Sequence, residues 1–309
     1  MLKQVIEVHE LLDDAYVSGK TVAEYFTTKG FCIASTETIH GEKGKTDFVK
    51  ILIPGLSGRR AGGSSRTLGI IGRLGGIGAR PERIGLVSDA DGAIAALACA
   101  AKLADMASKG DMLAGDVLVA THICPDAPTL QHDPVPFMDS PIDMQTMNEH
   151  EVDPLMDAVI SVDTTKGNKV INHRGFALSP TVKEGWILKV SEDLLDIAER
   201  TSGNHPFVLP LTMQDVTPYG NNVFHINSIL QPCTATNSPV VGLAITTVST
   251  VPGCATGASH EVDIEEASRF CVEVAKTFTA GKCEFYSPVE FELLRNLYGP
   301  MNRLQTMGQ

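Results

Sequence analysis

Asp89 and Asp91 stand one residue apart, directly in front of Gly92 and an apolar run that reaches Met106. The run has helical spacing and is apolar nearly all round, so the helix is expected to be buried, with its free N-terminal amides aimed at a partner. One carboxylate is accounted for by capping those amides and complementing the helix dipole. The other is available to hold a cation. Further carboxylates and imidazoles follow β-like runs: His122, Cys124 and Asp126 after "DVLVAT", Asp163 after "AVISV", and His260 in the loop beyond "AITTVST". Carboxylate with imidazole is the donor set of zinc, manganese or cobalt, which makes Asp89, Asp91, His122, Asp163 and His260 candidate ligands of a divalent metal. Asp126 is the candidate general base by position. Each has an ordinary alternative: an Asx-type turn for Asp163, a neutral core histidine for His122, and a plain helix start for the acids after His260.

Other chemistry is weighed in the same places. The glycines of "GIIGRLGGIGARPERIG" follow a strand-like run, but their spacing matches neither the dinucleotide nor the P-loop pattern. Arg73 and Arg80, which flank them, suit a substrate carboxylate held through a planar, bidentate contact. Cys124 beside His122 reads as a thiol nucleophile only if alternating strand residues meet, which strand geometry opposes. No G-x-S-x-G elbow occurs.

The elements that must position these residues alternate. Strand-like runs at "DFVKILIPG", "TLGIIG", "RIGLVS", "GDVLVATHI", "DAVISVDTT" and "PVVGLAITTVST" are separated by helical patterns, including "SGKTVAEYFTTKG" with Ser18 as N-cap and Gly30 as its stop. This predicts an α/β fold, a three-layer sandwich around a mixed, mostly parallel sheet, formed by residues 1–309 as a single domain. The proline-rich stretch 124–154 is expected to be a long loop excursion. In open α/β sheets the carboxyl ends of the strands carry the ligand site, and every candidate above falls there.

A net charge of −12 and a sequence pI near 5.2 disfavour a nucleic-acid partner. The N-terminus lacks the basic start and apolar core of a signal peptide, and no run reaches 18 apolar residues, so no membrane association is expected. Seven scattered cysteines without a C-x-x-C pair fit reduced thiols in a cytoplasm.

"VSGKTVAEYF", "VSDADGAIAALACAAKLA", "DAVISVDTT" and "ASHEVDIEEASRF" together resemble, in order and type, segments of the cocatalytic zinc aminopeptidases of the glutamyl and tetrahedral type. The chain as a whole also resembles a bacterial family known as a domain of unknown function. The aminopeptidase resemblance implies a zinc-exopeptidase-like (phosphorylase/hydrolase-like) sandwich. It carries metal binding over to the Asp89 segment, Asp163 and His260, and a substrate pocket over to "MQDVTPYGNNVFHINSILQ", with Asn222 and His225. It implies a homo-oligomer. The family's first metal-binding histidine falls where this chain has Arg73, and its Glu-Glu pair where this chain has "HICPDAP". The expected activity is metal-dependent hydrolysis of a small peptide, amide or cyclic amide, with a metal-activated water as nucleophile. The alternatives are a non-catalytic small-molecule or peptide binding protein on the same fold and a nucleotide-dependent enzyme using the glycine loop.

Overall fold

A computed structural model describes residues 1–306 apart from 15, 74–85, 132, 134–136, 168–169, 211–227 and 249–258. Two helices open the chain, α1 (Leu2–Leu12) and α2 (Gly19–Lys29). Ser18 caps α2 by accepting from Thr21 N at 3.2 Å, and Gly30 closes it in a left-handed conformation, φ 74°, that favours glycine. An antiparallel pair follows, β1 (Ile33–Gly41) and β2 (Gly44–Ile53), then β3 (Leu68–Gly72), α3 (Asp91–Ala107) and β4 (Val117–Ile123).

The expected loop excursion carries the small ladder β5 (Thr129–Leu130) and β6 (Phe137–Met138), and the helix α4 (Met144–Glu151). Asp143 caps α4. Beyond it come β7 (Ala158–Thr164), β8 (Gly175–Leu178), β9 (Val182–Lys183), β10 (Trp186–Ile187), α5 (Glu192–Ser202) and β11 (Phe207–Val208). A 3-10 turn (Ser228–Thr234), β12 (Val240–Thr246), α6 (Glu261–Thr279) and α7 (Pro288–Tyr298) complete the order. Leu86 and Val87, part of the strand expected at "RIGLVS", lie outside any strand and lead into a 3-10 turn at Ser88–Ala90.

The sheet runs β1-β2-β4-β3-β7-β12-β8-β11, with β9 and β10 attached beside β12. Its centre, β4-β3-β7-β12, is parallel; β2, β8 and β11 run against it, and β1, antiparallel to β2, runs with it. Strand alternation divides the core. Ile51, Val119, Ile70, Ile160 and Leu243 face α1, α3 and α6, whereas Leu118, Ala120, Ile71, Val159 and Ala244 face the 3-10 turn at 228–234. Helices thus cover both sides of a mixed, mostly parallel sheet. In α3 only Lys102 and Asp105 escape burial, as expected of a helix apolar nearly all round.

Gly72 and Gly92 allow the closest approach at the strand ends. A Cβ on Gly92 would lie 2.5 Å from Val162 O and 2.9 Å from Arg73 O, and one on Gly72 would lie 2.6 Å from Gly92 O. The start of α3 is therefore wedged onto the ends of β3 and β7, and Thr164 Oγ1 donates to Ser88 O at 2.9 Å across the same seam.

Candidate functional site

Register places three of the expected site residues in one row. His122 pairs with Phe48 of β2, Asp163 pairs with Ala244 of β12, and Gly72, the last residue of β3, lies between Thr121 and Val162. Arg73, one residue further, donates its backbone N–H to Val162 O at 2.7 Å and so stands between His122 and Asp163. By alternation the three side chains share the face that α4 and the 3-10 turn cover.

Arg73 is fully buried and so is its partner Glu151, at the end of α4. The same nitrogen, Nη1, also donates to Asn148 Oδ1 at 2.9 Å. Asn148 and Glu151 are three residues apart and so share one side of α4. Among the described residues, the opposite edge of the guanidinium, Nε and Nη2, has no hydrogen-bond partner, and neither do Glu151 Oε1, Ser161 Oγ or either nitrogen of His122. Burial, and then the neighbouring Arg73 charge, push the His122 imidazole down to about 3, so it is neutral near pH 7. Burial pushes the Glu151 carboxyl up, and Arg73 draws it back. Cys124 Sγ donates to Lys45 O at 3.3 Å, and among the described residues neither ring nitrogen of His122 has a hydrogen-bond partner, so the two do not form a thiol-imidazole pair.

On the other side of the strand ends, Asp91 opens α3 with no exposed surface. It does not cap the helix. One oxygen meets Lys166 Nζ, and the other accepts from Ser259 Oγ at 2.5 Å. Burial raises the Asp91 carboxyl, while Lys166, Ser259 and the positive influence of His9 on α1 lower it. Lys166 follows β7 in a left-handed conformation, φ 53°, with its N–H on Ile245 O at 2.9 Å. Asp89, two residues before Asp91, is buried in the turn ahead of α3.

Asp163 belongs to the row, and the other candidates are dispersed. Asp163 is buried, accepting from Thr164 N at 2.7 Å and from Ser228 Oγ at 3.4 Å. His260 stands just before α6, half-exposed, with Nδ1 3.4 Å from Asp263 Oδ2. Asp126 is exposed and lines a small cavity of about 190 Å³ with Ser18, Lys45 and Asp47, on the β2 side. Arg80, Asn222 and His225 lie outside the described residues. Asn148, Glu151, Lys166 and Ser259 were not among the expected site residues. Met144, Met147, Asn148 and Glu151 recur at helical spacing and are the buried side of α4, a signal masked by the prolines around it.

A family profile described as "Protein of unknown function (DUF1177)" matches residues 37–308. The chain belongs to that family. No curated protein sequence matches this DUF1177 chain. Among solved structures, the bottromycin maturation enzyme BotP in complex with Mn is similar with a TM-score of 0.51 and 16% identity, over 89% of this chain and 71% of its own. A mutant of tomato leucine aminopeptidase is similar with a TM-score of 0.51 and 10% identity, over 88% of this chain. The chain spans 60% of that aminopeptidase's length. At these identities the likeness is one of fold, the aminopeptidase-like fold that the sequence resemblance implies.

A metal would need several oxygen or nitrogen donors around one point. Among the described residues no group of three or more His, Cys, Asp or Glu side chains is placed to hold an ion. Asp91 already carries an ammonium and a hydroxyl, and the position between His122 and Asp163 belongs to a guanidinium. The described residues by themselves do not fit a metal centre.

Proposed function

We propose that this DUF1177 protein binds a small peptide- or amide-like molecule bearing a carboxylate, at the ends of β3, β4 and β7. The observation that carries this reading is the unused edge of Arg73. Nε–H and Nη2–H form a planar two-donor fork matched to a carboxylate, in a setting dry enough to strengthen the contact. Asn148 and Glu151 hold the guanidinium through Nη1, so the fork is oriented before a ligand arrives. The neutral His122 offers one donor and one acceptor beside it, and the Ser161 hydroxyl offers a third polar group. Peptides differing only in a free or amidated C-terminus test the proposal by thermal shift. The free acids should raise the midpoint of the wild-type chain, and their amides should not. The difference should vanish in Arg73→Met combined with Glu151→Leu, which removes the fork without stranding a charge. Equal shifts for acid and amide, or none for either, would refute carboxylate recognition.

A second reading is metal-dependent hydrolysis of a small peptide, amide or cyclic amide, favoured by the fold shared with BotP, whose structure holds Mn. It requires Asp89, His122 and Asp163 to meet donors from outside the described residues. Metal analysis of the freshly purified full chain separates the readings: about one equivalent of zinc, manganese or cobalt per chain favours hydrolysis. We also propose a cytoplasmic homo-oligomer. The six described cysteines are free, and Val289, Leu293 and Leu297 form an exposed apolar stripe along α7. Light scattering on wild type and Leu293→Glu tests the oligomer.

A further inference from the structure

Asp91 is a fully buried carboxylate, and a buried carboxylate is retained in its charged form only against a cation or strong donors. Here the cation is covalently part of the chain. Lys166 leaves β7 in a left-handed backbone conformation that a non-glycine residue rarely adopts, and its ammonium reaches Asp91. The conformation is locked from outside the pair. Thr165 N and Lys166 N both donate to Ile245 O, at 2.8 and 2.9 Å, and Gly167 N donates to Thr247 Oγ1 at 2.9 Å. Such over-determined strain marks a position whose side chain is held for a purpose. Ser259 Oγ occupies the second oxygen of Asp91, donating to it at 2.5 Å.

We propose that Lys166 is the resident cation of Asp91, standing where a divalent ion would otherwise bind, so that this strand end carries no metal on Asp91. An ion entering there would have to displace an ammonium already in contact with the carboxylate and leave it buried beside a second positive charge. Arg73 and Glu151 repeat the arrangement on the opposite face of the sheet, again with one fixed protein cation against one buried acid. The inference is independent of what Arg73 binds.

Mn(II) titrated into the full-length chain without any carboxylate ligand tests it, read by the electron paramagnetic resonance of free Mn(II) and by the thermal midpoint. Wild type should bind no ion on Asp91, so that Asp91→Asn leaves both its Mn(II) binding and the response of its midpoint to Mn(II) unchanged. Lys166→Ala and Lys166→Met, the second keeping most of the buried stem, should each gain a stoichiometric ion at least about tenfold tighter than wild type. Their midpoints should become dependent on Mn(II), and Asp91→Asn in the same background should abolish both effects. Should the single variants unfold in EDTA, recovery of the fold on adding Mn(II) is the expected result. Stoichiometric Mn(II) on wild type that Asp91→Asn removes would overturn the proposal. So would a failure of both Lys166 variants to gain an ion or to recover with it. Because the titration contains no carboxylate ligand, its failure and the failure of the Arg73 reading are read separately.

Discussion

Asp91 and Glu151 are both fully buried, both face a buried protein cation, and lie on opposite sides of the same strand ends. They differ in what is left over. Asp91 has a donor on each oxygen, and Lys166 is aimed at it by a locked backbone. Among the described residues, Glu151 keeps one oxygen without a partner, and Arg73 keeps a whole edge of its guanidinium, with the His122 ring and the Ser161 hydroxyl equally unsatisfied on the same face. Unmet polar groups in a dry interior are costly, so natural proteins retain them mainly where a ligand or water completes them. The difference teaches that similar charge pairs can end in opposite states: the Asp91 side is saturated, and the Arg73 side, among the described residues, leaves polar groups over.

Breaking the closed side should produce the largest effect. Lys166→Ala leaves the Asp91 carboxylate buried without its cation and should lower unfolding stability by about 3–5 kcal/mol. Removing both charges together, Asp91→Asn with Lys166→Met, should recover most of that loss. Urea unfolding of the single and double variants checks this. A single variant as stable as wild type would mean that Asp91 takes up a proton at negligible cost, and the contrast between the two sides would collapse.

The open side should announce itself through pH. The folded His122 titrates at about 3, below the usual imidazole value of 6.5. Between these values the unfolded chain carries a proton that the folded chain excludes. The contribution of His122 is therefore complete above 6.5 and is lost as pH falls toward 3. The slope is about 1.4 kcal/mol per pH unit for one proton, or about 2 kcal/mol between pH 7 and pH 5. His122→Leu should flatten that part of the stability profile relative to wild type. Identical profiles would show that His122 protonates in place and that the row is not dry.

The two sides also differ in how far they were legible in the sequence. The central strands and the buried α3 follow from apolar runs and glycine or polar stops, and the DADG segment announces itself because Gly92 is the residue that lets α3 seat against β3 and β7. Arg73, His122 and Asp163 are suggested by looking where strands end, but their common face depends on strand order and register, which a single chain does not print. Asn148 and Glu151 were hidden by the prolines on either side of α4. Lys166 was hidden for another reason: its one local sign is a lysine before a glycine at a strand end, and its meaning appears only when β7 and α3 are laid side by side. His260 and Asp126 were suggested by residue type alone, and burial sets them apart from the rest, one half-exposed before α6 and the other in a different cavity.

A pair of serines gives the finest test of the contrast. Ser259 Oγ donates to a buried carboxylate at 2.5 Å, so Ser259→Ala should cost about 2 kcal/mol, the usual worth of a hydrogen bond to a charged group. Ser161 is fully buried, and among the described residues its hydroxyl has no hydrogen-bond partner. Ser161→Ala removes an unsatisfied group and little volume, so the ligand-free chain should change by less than about 0.5 kcal/mol, with a small gain as the expected direction. Urea melts of the two variants at one pH measure both. A substantial loss in Ser161→Ala would mean that an ordered water already satisfies the hydroxyl, which would make the Arg73 side a hydrated structural cluster rather than a place held open for a carboxylate.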